Sequence, residues 1–218
     1  MPCQTIYTIN ALTLLQAYED SGYAEVLARA DVAVADGVGA VWAVRRLTGR
    51  RVERVTGLDL IDDLCRICVR EGRSVYLLGG RPGVAERAAE SLRKRHATLR
   101  MAGARNGFWR PEEEQDVVQA VNRTEANLLL VALGQPRQEQ FLDRYRQNLT
   151  ARFAVGVGGS FDVLAGDVRR APVWMQQAGL EWLFRLLQEP WRIRRVWRLP
   201  RFVWLVLRAV AARKIHKL

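Results

Sequence analysis

Six apolar runs recur along the chain, at residues 4–9, 31–35, 74–78, 98–101, 128–133 and 153–157, and each gives way to a glycine or polar turn before a stretch of helical period. The runs at 128–133 and 153–157 are apolar on both faces, as strands of a parallel sheet covered by helices should be. Helical spacing is predicted from Asn10 towards Asp20, over 38–47, after TGLDL at 56–60 to about residue 71, through Arg95 with Pro82 in the first turn, from the loop GARNGFWRPEE to Arg123, and beyond Gly134. Glu112, Glu113 and Glu114 fall in the first turn of one such helix, where the macrodipole favours carboxylates by roughly 0.3 to 1 kcal/mol each. The alternation of strand and helix predicts an α/β fold, a Rossmann-like parallel sheet flanked by helices.

Parallel strands place their carboxyl ends on one edge, where ligands of such sheets bind. At those ends stand Thr8 and Asn10, Asp36 before Gly37, the turn Gly79-Gly80-Arg81-Pro82-Gly83, Gly134 followed by Gln135, Arg137 and Gln138, and Asp162 after GVGGSF. Most have a plain structural alternative. Asn10 and Asp162 suit helix caps, Asp36 a turn, and Gln135, Arg137 and Gln138 a solvated helix start. The Gly79-Gly80 turn can cradle a diphosphate through backbone N–H groups, although it matches neither G-x-G-x-x-G nor a P-loop. The dehydrogenase set of that fingerprint with an acidic residue about 20 positions on is missing. Neither histidine, His96 nor His216, lies at a strand end, so a general base is expected to be a carboxylate. The chain holds no D-x-D pair of the kind that anchors a divalent cation. No metal or other cofactor is expected, helix N-termini and arginines offsetting phosphate charge.

Composition sharpens the picture at the C-terminus. The 218 residues, 49% hydrophobic, are long enough for one α/β domain with an appendage, and such a chain buries roughly 70% of its unfolded surface. The opening MPCQTIYTIN lacks the features of a signal peptide, and a cytosolic protein is expected. Cys3, Cys65 and Cys68 make an odd set with one C-x-x-C in a helical pattern, which reads as helix packing in a reducing compartment or, with less support, as a redox or metal pair. Of the net charge of +11, the last 39 residues carry ten Lys or Arg against two Glu. There LEWLFRLLQ is amphipathic, PWRIRRVWRLP interleaves arginine with tryptophan, and the apolar run at 202–207 is cut by Arg208, far short of the roughly 20 residues of a spanning helix. The texture suits a segment lying in the headgroup region of an anionic membrane. A helical hairpin packed on the domain is the alternative, and nucleic-acid binding a weaker one, which we do not expect.

The strings ALGQPRQEQF, GVGGSFDVLAGDVRRAP and GLEWLFRLLQEPWR resemble the WecG/TagA/CpsF family of glycosyltransferases, and the likeness runs almost from end to end. The resemblance implies an enzyme that uses a nucleotide sugar and a lipid-diphosphate-linked acceptor to build bacterial surface polysaccharides. It implies that Thr8 and Asn10 of T-x-N line the substrate pocket, that Asp36 is the catalytic base, and that Gln138 enters the active site. Arg185, Arg192 and Arg195 match the family's pattern in the appendage, where guanidinium groups would hold the donor's β-phosphate. Nucleotide contacts are then expected from Gly79, Gly80, Gly134 and Asp162, the last accepting the uracil imide N–H. The family also suggests homo-oligomers, and its members carry a structured segment ahead of the strand that opens here at Gln4.

Together these expectations place a catalytic domain at residues 1–178 and a membrane-associating appendage at 179–218. They describe an inverting transferase that moves N-acetylmannosamine from its UDP derivative onto undecaprenyl-diphosphate-linked N-acetylglucosamine, peripheral on the inner face of the cell membrane. The rival readings are the same fold using another donor such as UDP-glucose, and a membrane-peripheral nucleotide-binding scaffold without catalysis.

Overall fold

The structure, a computed structural model, describes residues 2–215, so His216 and the last residues of the expected appendage lie outside it. Six strands, β1 (Gln4–Ile9), β2 (Val32–Ala35), β3 (Ser74–Gly79), β4 (Arg100–Arg105), β5 (Leu128–Ala132) and β6 (Phe153–Gly156), form one sheet in the order β2-β1-β6-β5-β3-β4. The pairs β1–β6, β6–β5, β5–β3 and β3–β4 are all parallel. This is the expected Rossmann-like α/β class. Twelve α-helices accompany the strands among the described residues: α1 (Ala11–Glu19), α2 (Ser21–Ala28), α3 (Val38–Thr48), α4 (Gly57–Arg70), α5 (Val84–Arg95), α6 (Glu114–Asn122), α7 (Arg137–Tyr145), α8 (Ser160–Leu164), α9 (Val173–Gln177), α10 (Glu181–Gln188), α11 (Ile193–Val196) and α12 (Leu199–Ile215).

The chain divides into two compact units. The first holds residues 2–8, Glu25–Ala33 and Gly57–Arg169. Its core is the row where Leu130 of β5 stands opposite Leu77 of β3 and Val155 of β6, closed over by Ile61 of α4, Leu92 of α5 and Phe161 of α8. None of these side chains is more than 1% exposed, and burying each contributes about 1.5 to 3 kcal/mol. Three alanines, Ala85, Ala88 and Ala89, form the buried face of α5.

The second unit holds Ile9–Ala24, Val34–Thr56 and everything described from Arg170 onward. The described part of segment 179–218 falls in this unit together with residues 9–24 and 34–56. The physical reason lies on α12, which turns Phe202 and Val206 inward against Leu15 of α1 and Ala43 of α3, with the Trp42 and Phe202 rings meeting edge-on at 6.3 Å. Val203, Trp204 and Leu207 on the same helix are 41 to 55% exposed. The apolar run at 202–207 thus serves two faces, one packed and one open, and no helix among the described residues is long and apolar enough to cross a membrane.

Two local expectations need correction. β4 runs over Arg100–Arg105 rather than 98–101, because it pairs with β3 from Ser74 opposite Arg100 to Leu78 opposite Arg105; a Cβ on Gly103 would come within 2.6 Å of the Tyr76 ring. Pro82 sits in a turn, and α5 starts only after Gly83, whose φ of +82° makes it the N-cap. The first helix ends at Asp20 as expected; the Asp20 carboxylate accepts from the Tyr23 N–H, and α2 begins at once.

Candidate active site

In the first unit, the ends of β1, β5 and β6 are tied by side chains that sequence assigned to substrate. The Thr8 hydroxyl donates to the Gly156 carbonyl at 2.8 Å, and Thr8 is 3% exposed. Gln138, in the first turn of α7, has no exposed surface; its Oε1 accepts from the Gly158 N–H at 3.0 Å and its Nε2 donates to Glu139 at 2.7 Å. Gln135 Nε2 donates to the Thr8 carbonyl at 2.9 Å. These bonds hold the GQPRQ turn, β1 and the GVGG turn in one frame. Thr8 and Gln138 thus each commit a donor to this internal frame, and Gln138 an acceptor as well. Replacing Gln138 with Leu leaves the Gly158 N–H without its acceptor, and denaturant unfolding should report a loss of about 1 to 3 kcal/mol.

The glycine turn after β3 differs in detail from the expected cradle. The Gly80 N–H donates to the Ala132 carbonyl at 2.9 Å, so it is committed to the sheet rather than to a diphosphate. Gly80 instead receives the N–H of Gly107 at 2.8 Å, which brings the loop after β4 against the turn. Gly134, with φ of +78°, faces open space within 4 Å of its missing Cβ. Asp162 stands half-buried in the first turn of α8, beside a turn closed by the Ser160 hydroxyl donating to the Val157 carbonyl at 2.8 Å.

The second unit carries the remaining candidates. Asn10 caps α1: its Oδ1 accepts from the Leu12 and Thr13 N–H groups at 2.9 and 3.1 Å, and the Thr13 hydroxyl accepts from the Asn10 N–H. Asp36 follows β2, its N–H donating to the Ile9 carbonyl at 2.8 Å, and Gly37 with φ of +89° turns the chain into α3. Both ends of this carboxylate's backbone are thereby fixed. Arg185 and Arg192 converge on one carboxylate, their Nε atoms lying 2.7 and 2.6 Å from Glu189 Oε2. Arg195, exposed on α11, adds a third positive charge near enough to lower the proton affinity of Arg192.

Glu189 was missed by sequence reasoning, although its spacing of four from Arg185 and three from Arg192 was a readable helical signal. Burial works to raise its pKa, but hydrogen bonds from Arg185 and Arg192 overcome this and hold it below the usual glutamate range. Burial, then Arg185, lowers the pKa of Arg192. A depressed carboxylate stabilises the fold above its unfolded pKa and loses that contribution as pH falls through its folded pKa. Thermal melts should therefore show an acid-side loss of stability that Glu189→Gln lessens, since glutamine does not titrate, the remainder coming from other depressed carboxylates such as Asp31.

Sequence also missed the brace on the loop after β4. Arg137 donates from a terminal nitrogen to the Gly107 carbonyl at 2.8 Å and stacks 4.6 Å over the Trp109 ring. The signal available was only an arginine at a helix start, which usually means solvent. The cysteines, in contrast, are packing groups: burial pushes the Cys65 thiol up to about 12 and raises that of Cys68, both facing the core from α4. No cluster of three or more His, Cys, Asp or Glu suited to a metal ion occurs among the described residues.

With this geometry in hand, comparison with known proteins assigns the chain. The model of the glycosyl transferase WecG/TagA/CpsF family matches residues 2–216. An N-acetylglucosaminyldiphosphoundecaprenol N-acetyl-beta-D-mannosaminyltransferase of Bacillus subtilis (strain 168) is 30% identical over 203 residues, covering 93% of this chain and 78% of the relative.

Proposed function

Because the chain belongs to the WecG/TagA/CpsF family of glycosyltransferases, we propose that it transfers N-acetyl-D-mannosamine from UDP-N-acetylmannosamine to undecaprenyl-diphosphate-linked N-acetylglucosamine, with inversion, in assembly of a bacterial surface polysaccharide or teichoic acid. The observation that carries this reading is the end-to-end likeness to the Bacillus subtilis transferase, whose name states that sugar and that lipid-linked acceptor.

In this reading Asp36 accepts the proton of the acceptor hydroxyl as its oxygen attacks the anomeric carbon. The bond from that carbon to the β-phosphate oxygen breaks on the opposite face, and UDP leaves with the electron pair. General-base assistance of this kind is worth roughly 10² to 10⁴ in rate. Arg185, Arg192 and Arg195 meet the charge that develops on UDP, with Glu189 holding two of them in place. Asp162 takes the uracil imide, and the frame around Thr8, Gln138 and Gly134 shapes the nucleotide's floor. Phosphate charge is balanced by guanidinium groups, so turnover proceeds in the presence of EDTA.

The second unit also presents an open apolar groove of about 630 Å³, whose walls include Trp182, Ile193, Trp197 and Trp204. Trp197 is 81% exposed. Aromatic side chains beside arginines suit the headgroup region of an anionic bilayer, which supports a peripheral position on the cytoplasmic face of the membrane, beside the lipid acceptor.

The product tests this directly. Mass spectrometry and proton NMR of the lipid-linked product should show one added N-acetylhexosamine, with the opposite anomeric configuration to the α-linked donor. Retention of configuration would remove the single-displacement mechanism, and transfer from UDP-glucose in preference to UDP-N-acetylmannosamine would remove the donor.

A further inference from the structure

Basic residues are unevenly shared between the two units. The second contains sixteen Lys or Arg against six Asp or Glu, whereas the first contains eighteen against seventeen, so ten of the eleven net positive charges belong to the second. The C-terminal segment accounts for most of them. Of the five Arg of this unit that precede Arg170, four form a separate group: Arg45 and Arg46 in the last turn of α3, and Arg50 and Arg51 just past its Gly49 cap. All four are exposed, and among the described residues none of them forms an ion pair. This sets them apart from other arginines of the same unit. Arg54 is bound to Glu181, Arg185 and Arg192 to Glu189, and Arg198 and Arg201 to Glu19.

A helix C-terminus favours nearby cations, which accounts for Arg45 and Arg46 in part. It does not account for Arg50 and Arg51, which lie beyond the helix with half-exposed Val52 beside them. Nor does it explain why α3, packed through Ala43 against the cationic α12, itself carries Arg45 and Arg46 and no acidic residue. Four exposed guanidinium groups within seven residues, with Glu53 the one acidic residue close after them in sequence, make a concentrated positive surface to which an extended anionic surface is complementary. The exposed aromatic and aliphatic side chains cluster in this same unit, with Trp182, Trp191, Trp197 and Trp204 all at least 45% exposed.

We propose that Arg45, Arg46, Arg50 and Arg51 form a second membrane-docking surface that binds the headgroups of an anionic phospholipid bilayer, in addition to the aromatic C-terminal segment. The inference rests on the peripheral-membrane reading above and adds to it a contact that the C-terminal segment does not contain. It makes membrane attachment two-sited within one compact unit: apolar insertion comes from α11 and α12, and charge recognition in large part from the end of α3. Two weak attachments on one folded body add their free energies, so loss of either is felt strongly.

Co-sedimentation of the full chain with vesicles of phosphatidylcholine containing phosphatidylglycerol, and with phosphatidylcholine alone, tests it. The wild type should partition onto the anionic vesicles only, with steep salt dependence. The variant R45Q/R46Q/R50Q/R51Q should partition roughly 10²- to 10³-fold more weakly, taking about a three- to sixfold loss per arginine near a charged surface. Its UDP affinity and its turnover of a water-soluble short-chain acceptor should match the wild type, while turnover of vesicle-embedded acceptor falls. If the wild type binds and the variant binds equally well, the arginine surface is refuted and the membrane reading stands. Failure of the wild type to bind anionic vesicles refutes both. Tighter binding of the wild type to single-stranded DNA than to the vesicles at equal ionic strength also refutes the proposal, because the surface would then be a nucleic-acid site.

Discussion

Asp36→Asn is expected to lower kcat by roughly 10² to 10⁴ while leaving UDP affinity and the melting temperature close to those of the wild type. The substitution is nearly isosteric, and the backbone around it is fixed from both sides: the Asp36 N–H is bonded to the Ile9 carbonyl, and Gly37 supplies the positive φ that starts α3. What changes is the ability to accept a proton. A factor of 10² to 10⁴ corresponds to about 2.7 to 5.5 kcal/mol of transition-state stabilisation, far more than loss of a neutral hydrogen bond would cost. The comparison is made by initial rates at saturating donor and acceptor, with isothermal titration of UDP as the control. Near-normal turnover by a folded, UDP-binding variant would remove Asp36 from the role of base.

The largest effect on stability is expected at Gly79. This residue has φ of +136°, and a Cβ built on it would lie 2.4 Å from the carbonyl oxygen of Ala132 and 2.5 Å from its carbonyl carbon. The obstacle is backbone of the neighbouring central strand, so no side chain can swing aside. Gly79→Ala combines strain in a region that L-residues avoid with overpacking, about 2 to 6 kcal/mol together. A domain of ordinary stability, about 5 to 15 kcal/mol, loses a large fraction of it. Gly134→Ala is the matched control, since its φ is also positive but its Cβ meets nothing within 4 Å. Urea titration should give only about 1 to 2 kcal/mol there. Equal losses at both positions would mean that the close approach of β3 and β5 is not what demands glycine at Gly79.

How much of this was legible follows from the kind of signal each feature leaves. The strands at β5 and β6 announced themselves because a strand buried on both faces must be a continuous apolar run. β4 reads in the sequence as 98–101 rather than Arg100–Arg105, because MAGAR is not a continuous apolar run and the strand extends through pairing with β3, a long-range partner without periodicity. The strand ends correctly located Thr8, Asn10, Asp36 and Gly134, but position is weaker than direction. Sequence could not tell that Gln138 points into the protein, because an amide at a helix start has the same spacing whether it faces solvent or the Gly158 N–H. Nor could it foresee that the Gly80 N–H is spent on Ala132. The tail was read as one texture, whereas α12 divides its apolar residues between a packed face and an open one. A helix of mixed exposure carries both messages in one run, and only the partners Leu15 and Ala43 separate them.

The central claim is that this chain moves a sugar from UDP to a lipid-diphosphate acceptor with no metal ion. Its most direct test is release of UDP from UDP-N-acetylmannosamine by the purified full chain in EDTA, followed with and without undecaprenyl-diphosphate-linked N-acetylglucosamine. The account predicts release that depends on the acceptor and matches the amount of disaccharide-lipid formed. Binding of UDP without release, or release at the same rate when the acceptor is left out, would contradict it.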